Sequence, residues 1–273
     1  MNTNPLRQYF RRPAVYMRLP SGGVGYPEGS VVIPENGELA VYPMTAIDEI
    51  TSKTPDALFN GSAVVEIIKS CVPDIKDPWV IQGNDLDAIL IAIKAASGDN
   101  MTVTSKCPKC ENDGEYGLNL PALLASMKAG DYNKELEINE LKVKFRPLTY
   151  KEMNEAALAQ FEINKATALV QSDIPEQEKA KILEGALREI TDQTMVILAK
   201  TIDYIKTPST FVDNKDYIFD FIKNCDKNIY IALRDYSASL RSESELKPLN
   251  ITCTNCNNQY QQSYTLNLSD FFG

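Results

Sequence analysis

Two Cys-x-x-Cys pairs, Cys107-Pro108-Lys109-Cys110 and Cys253-Thr254-Asn255-Cys256, stand far apart in a chain of 273 residues that contains no histidine. A pair with two intervening residues sets both sulfurs on one side of a tight turn, where they can share an ion. A structural zinc takes four ligands at tetrahedral positions. Each pair offers two, and without imidazole the natural completion is one pair meeting the other. We therefore expect Cys107, Cys110, Cys253 and Cys256 to form one zinc site, which obliges the middle of the chain and its C-terminal region to meet. Redox use is a competing reading, but a redox pair opens a helix, and here Glu111-Asn112-Asp113-Gly114 reads as a turn leading into a strand. The pairs could also form two disulfides or hold no ligand at all. The N-terminus has no apolar core of signal-peptide length, which argues against disulfides. Cys71 and Cys225 lie in apolar helical contexts and read as ordinary buried thiols. The missing histidine also removes Ser-His-Asp and Cys-His nucleophiles and imidazole acid–base chemistry. No paired-carboxylate or Ser-Lys motif stands out in their place.

The cysteine pairs close two stretches that echo each other. Glu38-Leu39-Ala40-Val41-Tyr42-Pro43-Met44-Thr45 matches Glu140 to Thr149 with two extra residues in the second copy, and Ile67 to Cys71 matches Phe221 to Cys225. Ile89 to Lys94 matches Ile229 to Arg234, with Ser97 opposite Ser237. The cysteine pairs then correspond, and Tyr116 to Leu120 matches Tyr264 to Leu268. Five echoes in one order point to an internal duplication. Each copy reads strand, Pro-x-Thr helix start, cysteine-bearing helix, second helix, strand, knuckle, strand. Thr45 with Asp48 and Thr149 with Glu152 fit capping boxes, and Thr54-Pro55 fits a further helix start.

The spacing gives an N-terminal basic arm and loop at 1–37, a first lobe at 38–120, a linker at 121–139 and a second lobe at 140–268. Thr149 to Phe221 spans 72 residues against 22 from Thr45 to Ile67, so the second lobe carries an insertion, about 155–212. Leu183, Ala186, Leu187, Ile190, Ile197 and Leu198 place an apolar stripe on it at helical spacing, interrupted by Thr194. A helical pair packed on the second lobe, or an arm that binds a partner, would suit this pattern. The expected fold is α+β: two related helix-and-strand lobes joined by a shared four-cysteine knuckle pair.

A hydrophobic content of 44% and a charged content of 24% are those of a folded protein. No apolar run is long enough to span a bilayer; Ile89 to Ala96 is interrupted by Lys94. The net charge of −9 argues against a general nucleic-acid binder. Residues 1–20 hold Arg7, Arg11, Arg12 and Arg18 and no acidic residue, so the rest carries −13, which is −9 less +4. With Tyr9, Phe10 and Tyr16 set among the arginines, this segment suits an acidic surface of this chain, a sister subunit or another protein. We expect residues 1–20 to pack on another subunit. The loop Ser21-Gly22-Gly23-Val24-Gly25 lacks the Lys-Ser/Thr of a phosphate loop.

Several runs resemble a known family. They are Asn4-Pro5-Leu6-Arg7 to Arg12-Pro13, Leu19-Pro20-Ser21-Gly22-Gly23, Val41 to Thr45 with Asp48-Glu49-Ile50, and Thr54 to Gly61. Ile67 to Val72, Asp85 to Ile93 and Cys107-Pro108-Lys109-Cys110 continue the match, which is dense over 4–120 and looser over 121–273. Together they resemble the T4 bacteriophage base plate protein family, the baseplate hub proteins of T4-like contractile-tailed phages. The resemblance implies a non-enzymatic role in building the baseplate hub, with other hub subunits and the tape-measure protein as neighbours and self-association among the options. It carries over no catalytic residue. It implies the host cytoplasm during assembly and the virion tail baseplate as locations. A zinc-ribbon protein that binds nucleic acid or regulates transcription is the alternative, and it asks for basic knuckles. Glu111, Asp113 and Glu115 follow the first pair, and Asn257, Asn258, Gln259, Gln261 and Gln262 follow the second; Lys106 and Lys109 are the nearby cations.

Overall fold

The computed structural model describes residues 4–263, apart from 55, 56, 58, 99, 169 and 171–174. The chain divides into two compact units: Met1–Ala129 with Ser244–Gly273, and Gly130–Glu243. Helices and antiparallel strands are mixed in both, as the α+β expectation requires.

The first unit opens with a 3-10 turn, Pro5–Tyr9, capped by the Asn4 side chain. Strand β1 (Val15–Met17) then pairs antiparallel with β2 (Leu39–Val41), Val15 opposite Val41 and Met17 opposite Leu39. Helix α1 (Ala46–Ser52) begins at a complete capping box: the Thr45 side chain accepts from the Asp48 N–H, and Asp48 accepts from the Thr45 N–H at 2.7 Å. Helix α2 (Ser62–Cys71) follows Gly61, whose φ of 78° only glycine adopts freely. Helix α3 (Gly83–Ala96) is apolar on nearly every side, and a helix of that kind must be buried. Its Ile89, Leu90, Ile91 and Ile93, with Leu39, Ile67, Ile68, Ile75 and Ile81, are the unit's largest fully buried side chains. Asp85 is also buried on α3; it accepts from the Ser21 amide and hydroxyl and from the Tyr26 hydroxyl, which pins the glycine-rich loop to the helix. Burial pushes the Asp85 carboxyl up, opposed by the Ser21 and Tyr26 donors. Strands β3 (Thr102–Lys106) and β4 (Asp113–Gly117) form a hairpin, and helix α4 (Leu120–Ser126) is capped by Asn119.

The second unit is built on a four-stranded antiparallel sheet in chain order: β5 (Glu135–Ile138), β6 (Leu141–Phe145), β7 (Ile202–Lys206) and β8 (Phe211–Val212). Between β6 and β7 run two long helices, α5 (Tyr150–Ala168) and α6 (Glu176–Thr201), tied by an ion pair from Lys200 to Glu155 at 2.7 Å. Thr194 interrupts the apolar stripe but not α6, which runs on through it while its hydroxyl bonds back to the Ile190 carbonyl. Helices α7 (Lys215–Asn224) and α8 (Lys227–Ser244) complete the unit. Val143, Phe145, Ile205, Ile218, Ile222 and Leu233 lie at its core. The chain then returns to the first unit as a second hairpin, β9 (Leu249–Thr252) and β10 (Gln259–Gln262).

The N-terminal segment departs from expectation. Residues 11–20 are built into their own unit: β1 pairs with β2, Met17 and Leu19 are buried, and Arg11 reaches into the fold. Exposed residues keep the character of an arm, among them Leu6, Arg7, Tyr9, Phe10, Arg12 and Tyr16. The stretch 121–139, expected as a linker, carries most of α4 and β5. The helix start at Thr54-Pro55 and the echo at Tyr264 to Leu268 fall outside the described residues.

Candidate metal centre

Each cysteine pair sits in the loop of a hairpin, 107–110 between β3 and β4 and 253–256 between β9 and β10. The two loops are built alike. The Cys107 N–H donates to Asn112 O (3.0 Å) and the Glu111 N–H to Cys107 O (2.9 Å); the Cys253 N–H donates to Asn258 O (2.9 Å) and the Asn257 N–H to Cys253 O (2.9 Å). Both turns close through a left-handed residue, Glu111 with φ 57° and Asn257 with φ 56°. Asparagine tolerates that region, whereas glutamate is strained there.

The loops bring all four sulfurs together. The Sγ atoms of Cys107, Cys110, Cys253 and Cys256 lie within 4.8 Å of one another. Across the two hairpins, Cys107 and Cys256 are 3.7 Å apart, as are Cys110 and Cys253. Zinc–sulfur bonds of about 2.3 Å at tetrahedral angles set sulfurs about 3.8 Å apart, whereas a disulfide needs about 2.0 Å. All four thiols are free. The spacing therefore fits a sulfur tetrahedron and does not fit disulfides. Cys107 and Cys253 are buried and Cys110 and Cys256 half-buried, so the cluster faces inward from the first cysteine of each loop.

Polar partners surround the sulfurs. The Asn255 side-chain amide donates to Cys110 Sγ at 3.6 Å, and that of Asn258 reaches Cys107 Sγ at 4.0 Å, so the second hairpin donates to the sulfurs of the first. Behind the cluster, Ser105 on β3 bonds the Tyr260 hydroxyl (2.9 Å) and Gln262 Oε1 (2.8 Å) on β10. Burial raises the Cys107 thiol, but the N–H groups of Cys110 and Lys109 and the thiols of Cys253 and Cys256 outweigh it and bring it down to about 6. Cys256 goes the other way: the Asn258 N–H lowers it, but burial and the neighbouring sulfurs push it up to about 12. Four thiols this close lose protons as a set, the first easily and the last with difficulty. A bound divalent cation would take the place of those protons.

The two remaining cysteines stay apart from this cluster. Cys71 is buried at the end of α2, its thiol raised to about 11 by burial and by Asp48, and Cys225 is half-buried just past α7. Sequence reasoning found the four sulfurs because two spacings signalled them. It did not assign Asn255 and Asn258 a role, since a side-chain donor two or five residues from the first cysteine of its loop carries no periodic signal.

The fold and the cluster define an α+β protein in which two like hairpins, distant in sequence, are brought together at four cysteines. The chain belongs to the family described as T4 bacteriophage base plate protein, which it matches over residues 30–273. It is thus a protein of a phage base plate family, whose members assemble with other base plate proteins. No curated protein and no solved structure matches it. Among the described residues no helix is long and apolar enough to cross a membrane.

Proposed function

We propose that this chain is a non-enzymatic structural or assembly component of the baseplate hub, held together by one structural zinc on Cys107, Cys110, Cys253 and Cys256. The observation that carries the reading is the convergence of four free sulfurs from two hairpins, in a chain whose family builds base plates. The zinc fastens the C-terminal hairpin to the hairpin at mid-chain. In small peptides such an ion contributes on the order of 10 kcal/mol; beside a core of this size the net gain is smaller. Other hub subunits and the tape-measure protein are the proposed partners, met in the host cytoplasm during assembly and in the tail baseplate.

We also read the two lobes, 38–120 and 140–268, as copies of one unit. The order of elements supports this: strand, Thr-capped helix, helix closing at a cysteine, second helix, knuckle hairpin. Chemistry at the capping boxes supports it further. Arg146 pairs with Glu152 at 2.5 and 3.0 Å and bonds Pro147 O; Arg11 pairs with Asp48 at 3.3 Å and bonds Pro43 O. On this reading the knuckle hairpin of the second copy is exchanged into the first unit, and α5 and α6 form the insertion.

The test is affinity purification of the tagged chain from infected cells, beside its Cys110→Ser/Cys256→Ser variant. Hub and tail proteins should accompany the native chain and be depleted with the variant. Equal recovery with both would separate the cysteines from assembly, and recovery of nucleic acid in their place would overturn the hub reading.

A further inference from the structure

Two exposed patches of opposite charge lie on the two units, and each carries aromatic surface that its own unit leaves uncovered. On the first unit, the segment from Leu6 to Arg12 holds Leu6, Tyr9 and Phe10 at 61, 77 and 57% exposure. Arg7 and Arg12 flank them, also exposed. The other arginines of this region are engaged: Arg11 binds the start of α1, and Arg18 pairs with Glu38 at 3.4 Å. Arg11 thereby anchors the segment while Arg7 and Arg12 stay available.

On the second unit, Phe211 and Tyr217 are exposed at 54 and 69%. Asp213, Asp216 and Asp220 are near them in sequence and all exposed. Asp216, Tyr217 and Asp220 share one side of α7, opposite the buried Ile218 and Ile222, and Asp213 lies just before the helix cap Asn214. The cations nearby are spent elsewhere. Lys215 points onto the carbonyls of Ile202 and Asp203, and Lys223 pairs with Asp192 at 3.7 Å. This face therefore keeps its negative charge.

We infer that these patches meet between copies, the basic segment 6–12 of one chain docking on the Phe211–Asp220 face of the next. The occupant is a second copy because the chain supplies both halves of the match: arginines with aromatics on one unit, carboxylates with aromatics on the other. Opposite potentials steer the encounter and fix its orientation, and the aromatic rings supply the area that is buried. The contact joins different patches on the two copies, so it is heterologous. Each added copy leaves one free patch of each kind, and the series ends only if the rotation closes it into a ring. This inference stands apart from the zinc reading, since none of its residues belongs to the cysteine cluster.

Light scattering of the purified full-length chain over a range of concentration and salt tests it. At about 0.05 M salt, where exposed charges reach furthest, the mass should climb above 30.4 kDa with concentration, and added salt should reverse the climb. Arg7→Glu/Arg12→Glu should spoil one patch and Asp216→Lys/Asp220→Lys the other, each raising the association midpoint at least about tenfold through like-charge contact. Mixed in equal amounts, the two variants should associate again, because the intact patches of one complement those of the other and so do the reversed ones. Circular dichroism verifies that both are folded, and the milder Arg7→Gln/Arg12→Gln pair should show the same trend. A native chain that stays monomeric at low salt overturns the proposal. So does a variant that still self-associates as the native chain does, or a mixture that stays monomeric.

Discussion

Replacing Arg11 by methionine should destabilise the first unit, although the residue lies close to a chain end. Its guanidinium bonds Pro43 O at 2.5 Å, Asp48 at 3.3 Å, and the Ser70 carbonyl and hydroxyl at 2.8 Å each, and it lies 5.8 Å from the centroid of the Tyr42 ring. Methionine keeps the apolar stem but leaves the Asp48 carboxylate without its cation, held only by the Thr45 and Ser70 donors, and takes a donor from two carbonyls. Removing one partner of a buried pair costs about 3–5 kcal/mol. The Arg11 side chain is 26% exposed, so water relieves part of that, and we expect a loss of about 2–3 kcal/mol. In a protein of this size that corresponds to a fall of about 5–10 °C in Tm. Arg11→Lys should recover about half, because a single ammonium cannot serve the fork of acceptors. Urea titration followed by circular dichroism, with calorimetry, measures both. The neighbouring Arg12→Met is the control and should stay within about 0.5 kcal/mol. If Arg11→Met were as mild as that control, the guanidinium would not be part of the fold. Residues 11–20 would then be the loose arm that their composition suggests.

Other outcomes follow from the same structure. Burial raises the Glu152 carboxyl, but Arg146 and the Thr149 donors outweigh it and hold it below its ordinary value of 4.5. Its contribution is therefore complete above that value and fades as pH falls through the lower folded pKa; Glu152→Gln should flatten the stability curve there, as urea titrations at stepped pH will show. Asp87 has the opposite sign, since burial pushes it up to about 7. Folding is penalised as pH rises from 3.8 to 7, so Asp87→Asn should stabilise the chain by about 1–3 kcal/mol at pH 8 and much less at pH 4. Cys256→Ser should speed amide exchange in β9 and β10 before it affects α3, since the loss falls on the hairpin and not on the core.

Much of this fold was legible in local sequence, and what was not depends on contacts between distant residues. Both capping boxes were readable because Thr45 and Asp48, and Thr149 and Glu152, act across three residues. The cysteine cluster was readable because each pair announces a turn and the absence of histidine leaves few partners. Strand β1 escaped notice because three residues give too short an alternation to see, and what secures it is pairing with β2, more than twenty residues on. Arg11 was counted as surface charge because composition does not reveal that Asp48 and Ser70 wait for it. Thr194 looked like a break in a stripe, yet a threonine that bonds back to Ile190 is accommodated inside a long helix. The division into units was legible only in part: the cysteine spacing brought the C-terminal hairpin to mid-chain, but no linker composition marks the boundaries at Ala129 and Ser244.

The central claim is that four cysteines hold one zinc. X-ray absorption at the zinc edge, on freshly reduced protein with the metal counted in the same sample, tests it most directly. The account predicts about one zinc per chain, surrounded by four sulfurs at about 2.3 Å. Zinc well below that ratio, or a shell of oxygen or nitrogen around it, would contradict the account.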